Sequence, residues 1–137
     1  MPTTHLTSGD FIMGSQETSG EPFANLVQLD KVVYVYSLTR DQCAGCETQK
    51  SLFEKLAHNS EDRYGSKVKF TTIHVAETAN FRQRLQSLRR VLKFAAYPTY
   101  LTLIKTEVGI VETYRGIEPP MDEIARNITT AIELTSR

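Results

Sequence analysis

Hydrophobic and polar positions change their period several times along this chain, and each change marks an element. Val32-Val33-Tyr34-Val35-Tyr36 is an unbroken run of β-branched and aromatic residues, the pattern of a strand covered on both faces. Residues 37–42 turn polar and predict a connection, after which Leu52, Phe53, Leu56 and Ala57 fall on one helical face. Val68–Val75 repeats the strand signature, and Phe81, Leu85, Leu88 and Leu92 then recur at the spacing of an amphipathic helix. Residues 100–104 and 108–113 read as two more strands. Only Lys105-Thr106-Glu107 separates them, too little for anything but an antiparallel hairpin. Met121, Ile124, Ala125, Ile128, Ala131 and Ile132 form a closing helical stripe, entered through Pro119-Pro120.

The first part of the chain is patterned less clearly. Residues 1–20 are polar, rich in Thr, Ser and Gly, and predict a short strand or a loose arm. Residues 21–30 carry Phe23, Leu26, Val27 and Leu29 behind Glu21-Pro22, a partial helical stripe. The resulting organisation is a polar N-terminal arm, 1–20, and one α/β domain, 21–137, with a central mixed β-sheet flanked by helices. There is no internal repeat and no low-complexity tract.

Composition narrows the partners. Lys plus Arg equals Asp plus Glu at 16 each, so the formal net charge is zero and no electrostatic drive toward nucleic acid or an anionic membrane surface is expected. Arg82, Arg89 and Lys93 share a helix face, which reads as a solvated face because no aromatic platform interleaves with them. No apolar run is long enough to span a bilayer, and the Met1-Pro2-Thr3-Thr4-His5 start lacks the marks of a signal peptide, so a cytoplasmic location is expected.

The candidate chemistry lies in Cys43-Ala44-Gly45-Cys46, which contains both cysteines of the 137-residue chain. A helical pattern begins directly after it, so the thiols sit at a helix start, where unpaired N–H groups and the positive end of the macrodipole favour a thiolate. Cysteines three positions apart on the first turn are near enough to close a small disulfide. A metal site is not expected: His5, His58 and His74 are dispersed, and two thiols alone do not make a tetrahedral set within one chain.

Three segments carry a resemblance to the thioredoxin-like superfamily, together covering about residues 31–134. Cys43-Ala44-Gly45-Cys46 matches its C-x-x-C and Leu52-Phe53-Glu54-Lys55-Leu56-Ala57 the helix that follows. Tyr97-Pro98-Thr99 resembles its cis-proline signature before the hairpin, and Tyr114-Arg115-Gly116 resembles the glycine turn closing the last strand. The resemblance implies a thioredoxin-like fold and thiol–disulfide oxidoreductase activity without a bound cofactor. Cys43, the more exposed sulfur, would be the nucleophile and Cys46 the resolving thiol. Tyr97, Pro98 and Gly116 would line the substrate site. The implied partners are a protein or small-thiol disulfide and an electron donor that the sequence does not identify.

The chain also departs from that pattern. Gln42 stands where thioredoxins proper have tryptophan, and Ala44-Gly45 where they have Gly-Pro. Ser37 stands where the family often keeps a buried carboxylate, leaving Asp41, Glu47 or water to take the proton of Cys46. These departures point to a specialised oxidoreductase with narrower substrates. They also motivate an alternative, a thioredoxin-like interaction module whose cysteines are vestigial or regulatory.

Overall fold

The computed structural model describes residues 3–7, 27, 29–40, 42–75, 96–107 and 109–136. Its strands are β1 (Thr3–Thr7), β2 (Val33–Arg40), β3 (Val68–Val75), β4 (Thr99–Thr106) and β5 (Gly109–Ile117). Helix α1 (Ala44–Tyr64) and a 3-10 turn (Gly65–Lys67) lead from β2 to β3, and helix α2 (Met121–Thr135) follows β5. Among the described residues the strands form one mixed sheet in the order β1-β3-β2-β4-β5. The amphipathic pattern at 81–92, and all but Val27, Leu29 and Asp30 of the helix expected at 21–30, lie outside the described residues.

β2 sits in the middle. It runs parallel to β3, with Val33 opposite Val68 and Arg40 opposite Val75, and antiparallel to β4, with Val33 opposite Ile104 and Leu38 opposite Thr99. β4 and β5 pair antiparallel from Thr99 and Ile117 to Thr106 and Gly109, as the short connection requires. β1, within the segment read as a strand or arm, pairs parallel with β3 from Thr3 and Phe70 to Thr7 and His74.

Two bounds differ from the sequence reading. The polar pattern at 37–42 predicts a connection, yet β2 continues through Arg40, because Ser37 and Leu38 pair with β3 on one side and β4 on the other. Ladder bonding outweighs side-chain polarity there, and Ser37 ends up interior at 2% exposure. Gly116 lies within β5, opposite Tyr100, rather than in a turn that ends it.

One face of the sheet is closed by both helices. Val33 and Val35 of β2, Phe70 of β3 and Tyr100 of β4 meet Phe53 and Ala57 of α1 and Ile124, Ile128, Ala131 and Ile132 of α2. Phe53 is the hinge of this core, its ring 5.5 Å from Phe70 and 5.3 Å from Tyr100, distances at which aromatic pairs add to simple area burial. The α2 positions follow the spacing i, i+4, i+7, i+8 of a core-facing stripe. In α1 the stripe is narrower than expected: Cys46, Gln49, Phe53, Ala57 and Ser60 are buried, whereas Leu52 is 47% exposed. The same face that anchors the helix therefore carries one cysteine. No helix of the described residues is long and apolar enough to cross a membrane.

Candidate active site

The site is built where β2 hands the chain to α1. Gln42 adopts a left-handed conformation, φ 55°, which reverses the chain direction and leaves Cys43 extended, φ −119° and ψ 105°, at the N-cap of α1. Its carbonyl accepts the Glu47 N–H at 3.1 Å, and its Sγ accepts the Cys46 N–H, also at 3.1 Å. A sulfur thus occupies the place usually held by a Ser or Asp oxygen, satisfying one of the unpaired donors of the first turn. Cys43 and Cys46 are joined as a disulfide with Cα atoms 5.2 Å apart, within the ordinary range for such bridges.

Both cysteines are buried, so the larger exposure expected at Cys43 is reduced to a small difference. The residues are 9% and 7% exposed. Capping and the bond to Cys46 turn Cys43 inward along the helix start, although its neighbours Gln42 and Ala44 are exposed.

Pro98 meets this turn from the other side. It precedes β4, is buried, and the Tyr97–Pro98 peptide bond is cis. A Cβ on Gly45 would lie 3.2 Å from Pro98 Cδ, so the missing side chain lets the proline approach the first turn of α1. Tyr97 is half-buried, with the Arg40 guanidinium 5.4 Å from the centre of its ring. Gly116 is packed against its own chain. A Cβ there would meet the Tyr114 hydroxyl and ring carbon and, at 3.2 Å, Pro119 Cγ, so its space is filled by the chain itself. Burial holds the Tyr114 phenol well above its usual range, reinforced by its hydrogen bond to the Glu123 carboxylate.

Three residues that the sequence reading did not single out complete the arrangement. Glu118, left-handed at φ 46°, donates its N–H to the Pro98 carbonyl at 3.0 Å, and its Oε1 lies 2.5 Å from where a Gly45 Cβ would be. Gln49, one turn beyond Cys46 on the buried stripe, donates Nε2 to the Pro119 carbonyl at 2.8 Å. Tyr100, 1% exposed, lies opposite Ser37 in the β2–β4 pairing, beneath the cysteines. Burial pushes its hydroxyl up to about 12, Ser37 partly offsets this, and the Glu118 charge adds to it. A buried polar residue in an apolar stripe was the available signal for Gln49. Nothing local pointed to Glu118.

Behind Cys46, between α1 and the sheet, lies a pocket of about 230 Å³ lined by Ser37, Thr39, His74 and Tyr100 among others. Thr39 Oγ1 and His74 Nδ1 are hydrogen-bonded at 2.9 Å, which fixes the imidazole. The polar groups from the sheet beneath Cys46 are thus hydroxyls and an imidazole. Among the described residues no group of three His, Cys, Asp or Glu side chains is placed to hold a metal ion.

No protein-family model matches the chain, and no curated protein matches it either. Solved structures do. The Trx4 domain of ERdj5 superposes with a TM-score of 0.65 at 17% identity, covering 98% of each chain. The long form of thioredoxin f from spinach chloroplast gives 0.60 at 18% identity, over 98% of this chain and 87% of that one. Thioredoxin NaTrxh from Nicotiana alata gives 0.59 at 18% identity, over 95% and 94%. The chain has the thioredoxin-like fold, α/β with a central mixed sheet, and carries a C-x-x-C pair at disulfide distance.

Proposed function

We propose that this protein is a thiol–disulfide oxidoreductase that acts on protein disulfides through Cys43 and Cys46. The observation that carries the reading is the disulfide placed at the N-cap of α1, where Cys43 Sγ already accepts a backbone N–H. That donor and the positive end of the helix favour a thiolate at the same atom once the bridge is reduced.

In the reduced protein the Cys43 thiolate attacks one sulfur of a substrate disulfide. A Cys43–substrate bond forms, the substrate S–S bond breaks, and the departing sulfur carries away the electron pair and takes up a proton. Cys46 then loses its proton into the pocket behind it, where Glu47, Glu54 and His74 are bases, and attacks Cys43 Sγ. The second substrate thiol leaves and the Cys43–Cys46 disulfide remains. A donor dithiol, consuming that disulfide by the same exchange, resets the pair. Tyr97 and Pro98 line the entrance, with the Tyr97 backbone available for strand-like hydrogen bonds to an extended peptide. Gly116 contributes by letting Tyr114 and Pro119 pack closely against it.

The test is reduction of a protein disulfide such as insulin, with dithiothreitol as donor. Wild type is expected to accelerate the reaction, Cys43→Ser to abolish the acceleration, and Cys46→Ser to accumulate a mixed disulfide at Cys43. Wild type no faster than dithiothreitol alone, together with no trapped adduct, overturns the proposal. The near-complete burial of both cysteines favours the interaction-module reading as the second one, and that outcome would select it.

A further inference from the structure

Resting on the oxidoreductase reading, we infer that Glu118 selects disulfides carrying a positive charge beside the scissile bond. In a protein substrate this is a Lys or Arg next to the reacting cysteine.

The backbone that carries this carboxylate is held beside the C-x-x-C turn by two hydrogen bonds. The Glu118 N–H is bound to the Pro98 carbonyl at 3.0 Å, and the next carbonyl, that of Pro119, is bound to Gln49 of α1 at 2.8 Å. Between these anchors the backbone is left-handed at Glu118, which turns the side chain onto Gly45. Oε1 lies 2.5 Å and Cδ 2.9 Å from the position a Gly45 Cβ would take. A formal charge therefore sits on the residue between the two cysteines, on the side where Pro98 approaches. The neighbouring Ile117 is 61% exposed and offers apolar surface to the same substrate segment.

Among the described residues the other charges at this end of α1 are of mixed sign. Arg40, Glu47, Lys50 and Glu54 line the pocket behind Cys46, where positive and negative side chains alternate, and Arg40 is also stacked over the Tyr97 ring. Glu118 does not line that pocket, and the ion pairs among the described residues do not involve its carboxylate. A substrate reaching Cys43 past Gly45 meets a negative charge at short range, where Coulomb energy is least screened, so cations are favoured and anions repelled.

The experiment uses the full chain with Cys46→Ser, so that attack by Cys43 stops at the mixed disulfide. Second-order rates of adduct formation are measured by mass spectrometry with cystamine (dicationic), 2-hydroxyethyl disulfide (neutral) and dithiodiglycolate (dianionic). Each rate is divided by that of free 2-mercaptoethanol with the same reagent, which removes differences in leaving-group reactivity. The expected order is cystamine, then neutral, then anionic, with steps of about fivefold at low salt that shrink toward unity at 1 M salt, where the Debye length is about 3 Å. In Glu118→Gln the cationic-to-neutral ratio is expected to fall close to one, and in Glu118→Lys to invert. A flat order in the parent, or the same order in all three proteins, overturns the inference while leaving the oxidoreductase reading intact if the neutral reagent reacts. If none of the reagents adds to Cys43, the nucleophile assignment fails, and the selectivity with it.

Discussion

Gln49 Nε2 reaches the Pro119 carbonyl oxygen at 2.8 Å, joining the first turns of α1 to a loop 70 residues away in sequence. Both residues are buried, so the bond is made out of water and no solvent molecule replaces it when it is lost. It matters for the site because Pro119 directly follows Glu118, and Glu118 is in turn bound to Pro98. Helix, loop and strand entrance are locked around Gly45 by two hydrogen bonds.

Gln49→Met removes the donor and strands the Pro119 carbonyl, at a cost of about 1–3 kcal/mol. Urea unfolding of the oxidised protein reads this as a lower midpoint with an unchanged slope. An unchanged midpoint would show that the carbonyl finds another partner. The same substitution should weaken discrimination between cationic and neutral disulfides, since it frees one of the anchors of Glu118.

Gly45→Ala sets two effects against each other. Alanine within a helix is favoured over glycine by about 1 kcal/mol, whereas the new Cβ has to displace the Glu118 carboxylate and press on Pro98. The tip of a glutamate moves cheaply. Stability is therefore expected within about 1 kcal/mol of wild type, while the cationic preference falls as it does in Glu118→Gln. A loss of about 3 kcal/mol would mean that the clash falls on Pro98, whose ring cannot swing away.

The buried Tyr100 predicts a pH dependence. Its folded value, about 12, lies above the ordinary 10, so the folded state holds this proton more tightly than the unfolded chain does. The corresponding stability is fully present below pH 10 and is lost as pH rises through about 12. Unfolding free energy should fall over that window, and Tyr100→Phe should make the fall shallower by one proton's worth. An identical alkaline slope in both proteins would assign the effect to other groups, with Tyr36 and Tyr114, also shifted upward by burial, the next to test.

Much of the scaffold was legible because its signals are local. The β-branched run at 32–36 marks the central strand, and a three-residue gap at 105–107 forces a hairpin. The spacing of Ile124, Ile128, Ala131 and Ile132 fixes which side of α2 is buried. Cys43-Ala44-Gly45-Cys46 before a helical pattern likewise specifies a cysteine at the helix cap and another one turn in, since neighbouring residues on a first turn have little freedom to be elsewhere.

The misread parts share a different cause. Ser37-Leu38-Thr39-Arg40 looks like a connection until β3 and β4 flank it, because backbone pairing from strands distant in sequence decides where a strand ends. Leu52 looks like core until the sheet selects the stripe through Cys46, Gln49 and Phe53. Cys43 looks exposed by its polar neighbours until its sulfur turns toward the Cys46 N–H.

By itself, then, the sequence determined the order of the described elements, the hairpin and the cysteine pair at the start of a helix, all consequences of short-range periodicity and chain geometry. Only the tertiary structure decided how that pair is enclosed: Glu118 against Gly45 beside Pro98, Gln49 under Pro119, and Tyr100 opposite Ser37 beneath Cys46. These residues come from four separate stretches of chain, and no local pattern encodes their meeting. It follows from how two helices and a twisted sheet bury one continuous apolar face.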